Sequence, residues 1–168
     1  MAFASDSTSA DTGRTAFRTQ AAVAGLTTAE AKILQNRIDA ALASDGGKQS
    51  AANEIRYPDG RLLLALPGEK YARELGKNSG TAAHSCTPGR LCGYSGVEYT
   101  GDEREWYTCA FHKKPTNWRS GGSWYNNQTR GRVANWYDIN KRWMGATPPA
   151  PSGTKYGQWQ GVGYAKPC

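Results

Sequence analysis

The sequence predicts a mostly β protein, and three features of its 168 residues carry that prediction. From residue 86 onward, short runs with alternating large apolar side chains are split by Pro88-Gly89, Thr100-Gly101-Asp102 and Gly121-Gly122, the pattern of successive strands joined by tight turns. Glycine is frequent, at 20 residues, and hydrophobic residues make up only 38%, a balance that suits a loop-rich β architecture rather than a helical bundle. All six tryptophans fall between residues 106 and 159, where a small β domain needs large rings to fill its core.

Ahead of that region the chain divides at about residues 25 and 80. Residues 5–25 are Ser, Thr, Ala and Asp with only Phe17 and Val23 as larger apolar side chains, too little surface to offset the entropy of ordering, so residues 1–25 are expected to be a disordered, flexible arm. Such arms serve as inert linkers or as anchors; in the second case Arg14, Phe17 and Arg18 are the residues that would seat it in a partner's cleft. Ala2-Phe3-Ala4 has the small-x-small form of a signal-peptidase site, which would make Ser5 a mature N-terminus.

Residues 26–80 read as a helix and β-hairpin subdomain. Thr27-Thr28-Ala29-Glu30 is a capping-box signature with Leu26 before it. Leu26, Ala31, Leu34, Ile38 and Leu42 then recur as one apolar stripe, Lys32, Gln35, Asn36 and Asp39 face away, and Gly46-Gly47 ends the helix. Pro58-Asp59-Gly60 is a turn between strands expected near 48–56 and 61–66, whose Ile55, Leu62, Leu64 and Leu66 lie under the helix stripe. A lone hairpin is marginal in water, so it must dock on the domain that follows. A short helical turn is expected over 67–75, then a linker to residue 85. In the domain at 81–168 the strand signals lie near 91–95, 105–109, 123–126, 132–138 and 159–164 and imply antiparallel Greek-key connections, with 147–153 a rigid surface segment.

Charge and sulfur narrow the chemistry. The net charge is +7, and +6 of it sits in residues 81–168, enough to steer an acidic partner, an anionic cell-wall polymer or nucleic acid, or simply to keep the protein soluble. The four cysteines, Cys86, Cys92, Cys109 and Cys168, lie in one small β domain, which favours two disulfides and an oxidising compartment, although three pairings are open. Their spacing does not match a zinc site. No run approaches the roughly eighteen apolar residues of a membrane span. No catalytic set stands out: His84 and His112 belong to no spaced metal motif, and Glu98, Asp102, Glu103, Glu105 and Asp138 show no glycosidase pattern.

The order Cys86, Pro88-Gly89, Leu91-Cys92, Tyr94, Tyr99-Thr100-Gly101-Asp102, Cys109 and Gly122-Ser-Trp-Tyr-Asn-Asn-Gln-Thr129 resembles the actinobacterial secreted peptidase-inhibitor family typified by the Streptomyces metalloproteinase inhibitor. The resemblance covers residues 86–168, about half the chain, and implies a disulfide-bridged, βγ-crystallin-like Greek-key β-sandwich with Cys86 joined to Cys92 and Cys109 to Cys168. Calcium, which many such folds hold through an Asn/Asp-rich segment, is not expected, because Arg130 stands where that segment needs a hydroxyl; no cofactor or metal is expected at all. The family's inhibitory segment maps onto Cys109-Ala110-Phe111-His112-Lys113, with Ala110 or Phe111 offered to an apolar pocket of a thermolysin-type enzyme, unless Phe111 merely anchors the loop. The function expected is that of a secreted, extracellular, non-enzymatic protein-binding module, a peptidase inhibitor acting by loop insertion on a protease or protease-like subunit. The alternatives are an adaptor in an extracellular assembly such as a secreted toxin particle, docked through its arm, and a binder of cell-wall glycan; membrane insertion and nucleic acid are set aside.

Overall fold

A computed structural model describes residues 7–76 and 86–168; Ala2-Phe3-Ala4, His84 and nearly all of the 76–85 linker lie outside them. The described residues form a mostly β structure of antiparallel sheets with two α-helices. Helix α1 spans Ser7–Val23 and α2 spans Thr28–Asp45. The strands are β1 Lys48–Ala51, β2 Glu54–Tyr57, β3 Gly60–Leu63, β4 Arg90–Tyr94, β5 Glu103–Trp106, β6 His112–Lys113, β7 Gly121–Asn127, β8 Asn135–Tyr137, β9 Trp143–Ala146, β10 Ser152–Gln158 and β11 Tyr164–Lys166.

The expected disordered arm is, from Ser7, a helix. Its ordering face is built of small residues: Ala21 is 2% exposed, and Phe17 and Ala24, four before and three after it, pack on the same core cluster with Leu26, Leu34 and Ile38. Alanine costs no side-chain entropy and has the highest helix propensity, so a narrow apolar face suffices once α2 is there to receive it. The Gln20 carboxamide oxygen, accepting from the Ala52 N–H at 2.7 Å, fastens α1 to the turn between β1 and β2.

Helix α2 follows its sequence. Glu30 accepts from the Thr27 backbone N–H at 2.8 Å while Thr27 Oγ1 accepts from the Glu30 N–H at 3.3 Å, closing the capping box. Leu34 and Ile38 are buried, with Ala31 and Leu42 half-buried beside them, and the chain leaves the helix through Gly46 in a positive-φ conformation. The stretch expected as one strand over 48–56 is two, because Asn53 turns inward: fully buried, it donates to the carbonyls of Leu64 and Arg73 at 2.9 Å each. Residues 67–75 form no helix; Tyr71 instead makes a parallel bridge to Gly101.

One sheet runs through both expected domains. Its order is β1-β2-β3-β5-β4-β7-β10, and the seam lies between β3 and β5, where Gly60 faces Trp106, Arg61 faces Glu105, Leu62 faces Arg104 and Leu63 faces Glu103. Arg61 pins this seam by pairing with Glu105 at 3.0 Å and with Glu54 and Glu74. Gly60 is required there, since a Cβ would lie 2.0 Å from the Glu105 carbonyl oxygen at a φ of +152°. Strands β9 and β10 carry no apolar alternation and were not expected; β10 zips along β7 through Gly153 and Gly157. The final strand begins at Tyr164 rather than near 159, where Trp159 is a buried residue just after the end of β10.

The second sheet has the order β6-β11-β8-β9. Its inner row, His112, Ala165 and Trp136, meets the larger sheet through rings: Trp136 lies 6.4 Å from Trp106 and 5.6 Å from Trp159, and Trp118 lies 5.2 Å from Trp159. Gly93 makes room for them, because a Cβ there would come within 2.9 Å of both Trp106 and Trp159. Its outer row is Lys113, Tyr164 and Tyr137, with Lys166 and Asn135 one step along. Cys86 is bonded to Cys92 and Cys109 to Cys168, with Cα atoms 5.7 and 5.3 Å apart, and no cysteine is free.

Candidate functional site

The segment from Tyr107 to Lys113 leaves β5, turns at the surface and re-enters as β6. Its base is clamped from several directions. The Tyr107 N–H donates to the Asp59 carbonyl at 3.2 Å, its hydroxyl donates to the Pro58 carbonyl at 3.2 Å, and the Arg90 guanidinium lies 3.9 Å above its ring. The Ala110 N–H folds back onto the Thr108 carbonyl at 2.9 Å, and Cys109 is tied to Cys168. The tip, Cys109-Ala110-Phe111, is exposed.

His112 is the pivot. Its ring is 5% exposed; Nε2 lies 2.7 Å from the Thr108 carbonyl oxygen and 3.0 Å from Thr108 Oγ1, and Nδ1 pairs with Asp59. An ionised carboxylate only accepts, so Nδ1–H donates to Asp59, and Nε2 faces both the carbonyl and the hydroxyl of Thr108. The Asp59-His112-Thr108 array ties the base of the loop to the β2–β3 turn. Burial pushes the Asp59 carboxyl up, but its hydrogen bond to His112 and the charges of Arg104 and His112 outweigh burial and hold it at about 2. Arg104 is 4% exposed, lies 4.2 Å over the Tyr57 ring and reaches Asp59 at 3.3 Å; burial draws it below its ordinary range. A cleft of about 190 Å³ opens beside this group, lined by Asp45, Tyr57, Asp59, Arg104, His112 and Lys113.

The carboxylates weighed in the sequence have structural partners. Asp102 pairs with Arg37 at 2.6 Å, Glu105 with Arg61 and the Thr87 hydroxyl, and Asp138 accepts from the Asn140 and Arg142 N–H groups at 2.8 Å each. Cys92, Glu103 and Glu105 are the one grouping of possible metal-ligating side chains among the described residues, and its sulfur is committed to Cys86. The amides of Asn126 and Asn127 bond internal acceptors, Asn126 to the Arg132 carbonyl and Thr147 Oγ1, Asn127 to the Cys86 carbonyl.

Of the sequence-derived candidates, Cys109, Ala110, Phe111 and His112 come together with Cys168 in one built loop. Arg14 and Arg18 lie elsewhere, lining an open groove of about 750 Å³ between α1 and α2 with Lys32, Leu26 and Ala31. Phe17 is turned partly into the core, so it is not free to anchor a mobile arm. Asp59 and Arg104 were missed as members of the loop site. Asp59 was legible only as a turn residue.

No protein-family model matches the chain, and neither the curated proteins nor the solved structures include a significant match to it. No helix among the described residues is long and apolar enough to cross a membrane, and the two disulfides suit an oxidising compartment.

Proposed function

We propose that the protein is a secreted, non-enzymatic binding module that inhibits a peptidase by inserting the loop tip at Cys109–Phe111 into its cleft. One observation carries this reading: an exposed apolar tip stands on a base fixed by a disulfide, by the Asp59-His112 pair and by Tyr107. A segment already held in its bound shape loses little conformational entropy on docking, and the disulfide keeps it attached when a scissile bond is strained. Ala110 is the apolar residue best placed to enter a pocket, because Phe111 also packs edge-on against Tyr137 at 4.8 Å and Tyr164 at 6.1 Å. The resemblance of residues 86–168 to a Greek-key, crystallin-like inhibitor family supports the same assignment. The test is the residual activity of a panel of metallo- and serine peptidases with micromolar protein. Inhibition of one class, weakened at least about tenfold by Ala110→Asp, is expected; no inhibition across the panel overturns the reading.

The groove between α1 and α2 supports a second reading, an adaptor in an extracellular assembly. Arg14 and Arg18 are exposed on its rim, so Arg14→Glu with Arg18→Glu should abolish recovery of a stoichiometric partner from native culture fluid. Recovery undiminished by the double variant excludes this role for the groove.

A further inference from the structure

Residues 113–168 contain nine lysines and arginines and a single acidic residue, Asp138. The fold gathers part of this charge on the outer face of the four-stranded sheet. Lys141 Nζ lies 5.1 Å and Lys166 Nζ 5.5 Å from the centre of the Phe111 ring, and Lys141 Nζ lies 5.5 Å from that of Tyr164. The two ammonium groups reach the ring from different elements. Lys166 is in β11, and Lys141 is held in a left-handed conformation, φ +61°, by the β8–β9 turn, whose backbone N–H groups occupy Asp138. Neither lysine pairs with a carboxylate among the described residues, whereas Lys113, in the same row, pairs with Asp45 at 3.5 Å. Two cations converging on one ring without a counter-charge repel each other, and an anion relieves that repulsion.

An aromatic surface lies beside them. Trp143 is 64% exposed, the largest exposed ring on this face. It stands across from Tyr137 in the β8–β9 pairing, and its indole N–H donates to Asn135 Oδ1 at 3.0 Å. Asn135 in turn faces Lys166 across β8 and β11. The indole is thus anchored by its polar edge to the residue that pairs with Lys166 across the strands, with most of its surface open to solvent.

From this arrangement we infer that the outer face of the four-stranded sheet binds an anionic sugar polymer whose charge is carried as carboxylate on the sugar ring. The C–H face of a sugar packs on the indole, and a carboxylate on the rim of the same ring reaches Lys166, with the next residue's carboxylate meeting Lys141. A single-stranded nucleic acid fits less well. Base stacking needs open faces on successive rings, and here the ammonium groups sit over Phe111 while Tyr137 and Tyr164 meet it edge-on. The site adjoins the inserted tip, because both ammonium groups lie over Phe111, but neither lysine nor Trp143 belongs to that tip, so sugar binding is read without a peptidase present.

The test uses the full chain, isotope-labelled, titrated with hexagalacturonate and followed through the indole N–H resonance of Trp143, which is identified with Trp143→Phe. Cellohexaose and a ten-residue oligothymidylate serve as the neutral and nucleic-acid comparators. Hexagalacturonate should shift the Trp143 resonance, with affinity falling about sevenfold between 50 and 200 mM salt, as release of two counterions requires. The Lys141→Ala, Lys166→Ala double variant, whose fold is checked by its remaining indole resonances, should bind at least about tenfold more weakly. Lys155→Ala, on β10, should bind like the parent. The inference is overturned by no shift with hexagalacturonate, by equal binding of cellohexaose, by tighter binding of the oligothymidylate, or by a loss with Lys155→Ala as large as with the double variant.

Discussion

Replacing Asp59 by asparagine tests the clamp that holds the loop. In the folded protein burial raises the carboxyl, yet His112 and Arg104 around its charge bring it down to about 2, against an ordinary 3.8; that gap corresponds to about 2.5 kcal/mol of stability at neutral pH. The sign is fixed by the direction of the displacement. A carboxyl held low in the folded state stabilises fully above its unfolded value near 4, and the contribution is lost as pH falls from there toward 2. The substitution would also leave Arg104, 4% exposed, without its carboxylate, and breaking a buried pair costs up to about 3–5 kcal/mol. Urea unfolding at pH 7 should therefore show Asp59→Asn destabilised by about 2–4 kcal/mol. The difference from the parent should shrink by about 2 kcal/mol between pH 5 and pH 2, since protonation removes the same charge in the parent. Limited proteolysis of the variant should open the chain first between Thr108 and His112. A difference below about 0.5 kcal/mol, or one that does not change with pH, would refute the electrostatic account of the clamp.

Three further outcomes follow from the same structure. Cys109→Ser with Cys168→Ser opens a cross-link spanning 59 residues and should lower stability by about 4 kcal/mol in urea unfolding, with no change in far-ultraviolet dichroism of whatever remains folded. Phe17→Ala removes the largest apolar contact of α1 and should cost about 2 kcal/mol and expose residues 7–23 to protease; unchanged protection would mean that α1 is held by something other than its small apolar face. Gly60→Ala should destabilise by more than about 2 kcal/mol in thermal unfolding, because the new methyl meets the Glu105 carbonyl across the β3–β5 seam; a Tm equal to the parent's would contradict the register given for those strands.

What could be read from the sequence is what rests on local chemistry. The Thr27-Glu30 capping box, the Leu34-Ile38 stripe, the Pro58-Asp59-Gly60 turn and the packing of five of the six tryptophans in or against the core each follow from residues close together in the chain. The helix α1 was missed because its buried face is alanine, and alanines look the same in a solvated arm until a partner surface is known. The seam between β3 and β5 was missed because it joins positions 40 to 46 residues apart, and alternation says which face of a strand is apolar but not which strand comes next to it. At the loop, the cysteine and histidine marked the place, while Asp59 arrives from the β2–β3 turn on the far side of that seam and Arg104 is turned toward it from β5. The convergence of Lys141 and Lys166 on Phe111 was hidden for the same reason: the charge excess was visible, but its meeting point is set by the pairing of β11 with β8.

The bridge from Cys109 to Cys168 changes what hydrolysis of the exposed tip can accomplish. A cut between Ala110 and Phe111 severs the backbone, yet the upstream piece ends one residue past a cysteine bonded through sulfur to the downstream piece, and the downstream piece begins one residue before the His112 anchor. The new amine and carboxylate stay within a few residues' reach of each other, at an effective concentration far above that of two separate fragments, so resynthesis of the bond competes with dissociation. A protein arranged this way survives being cut as a two-chain molecule of the same shape.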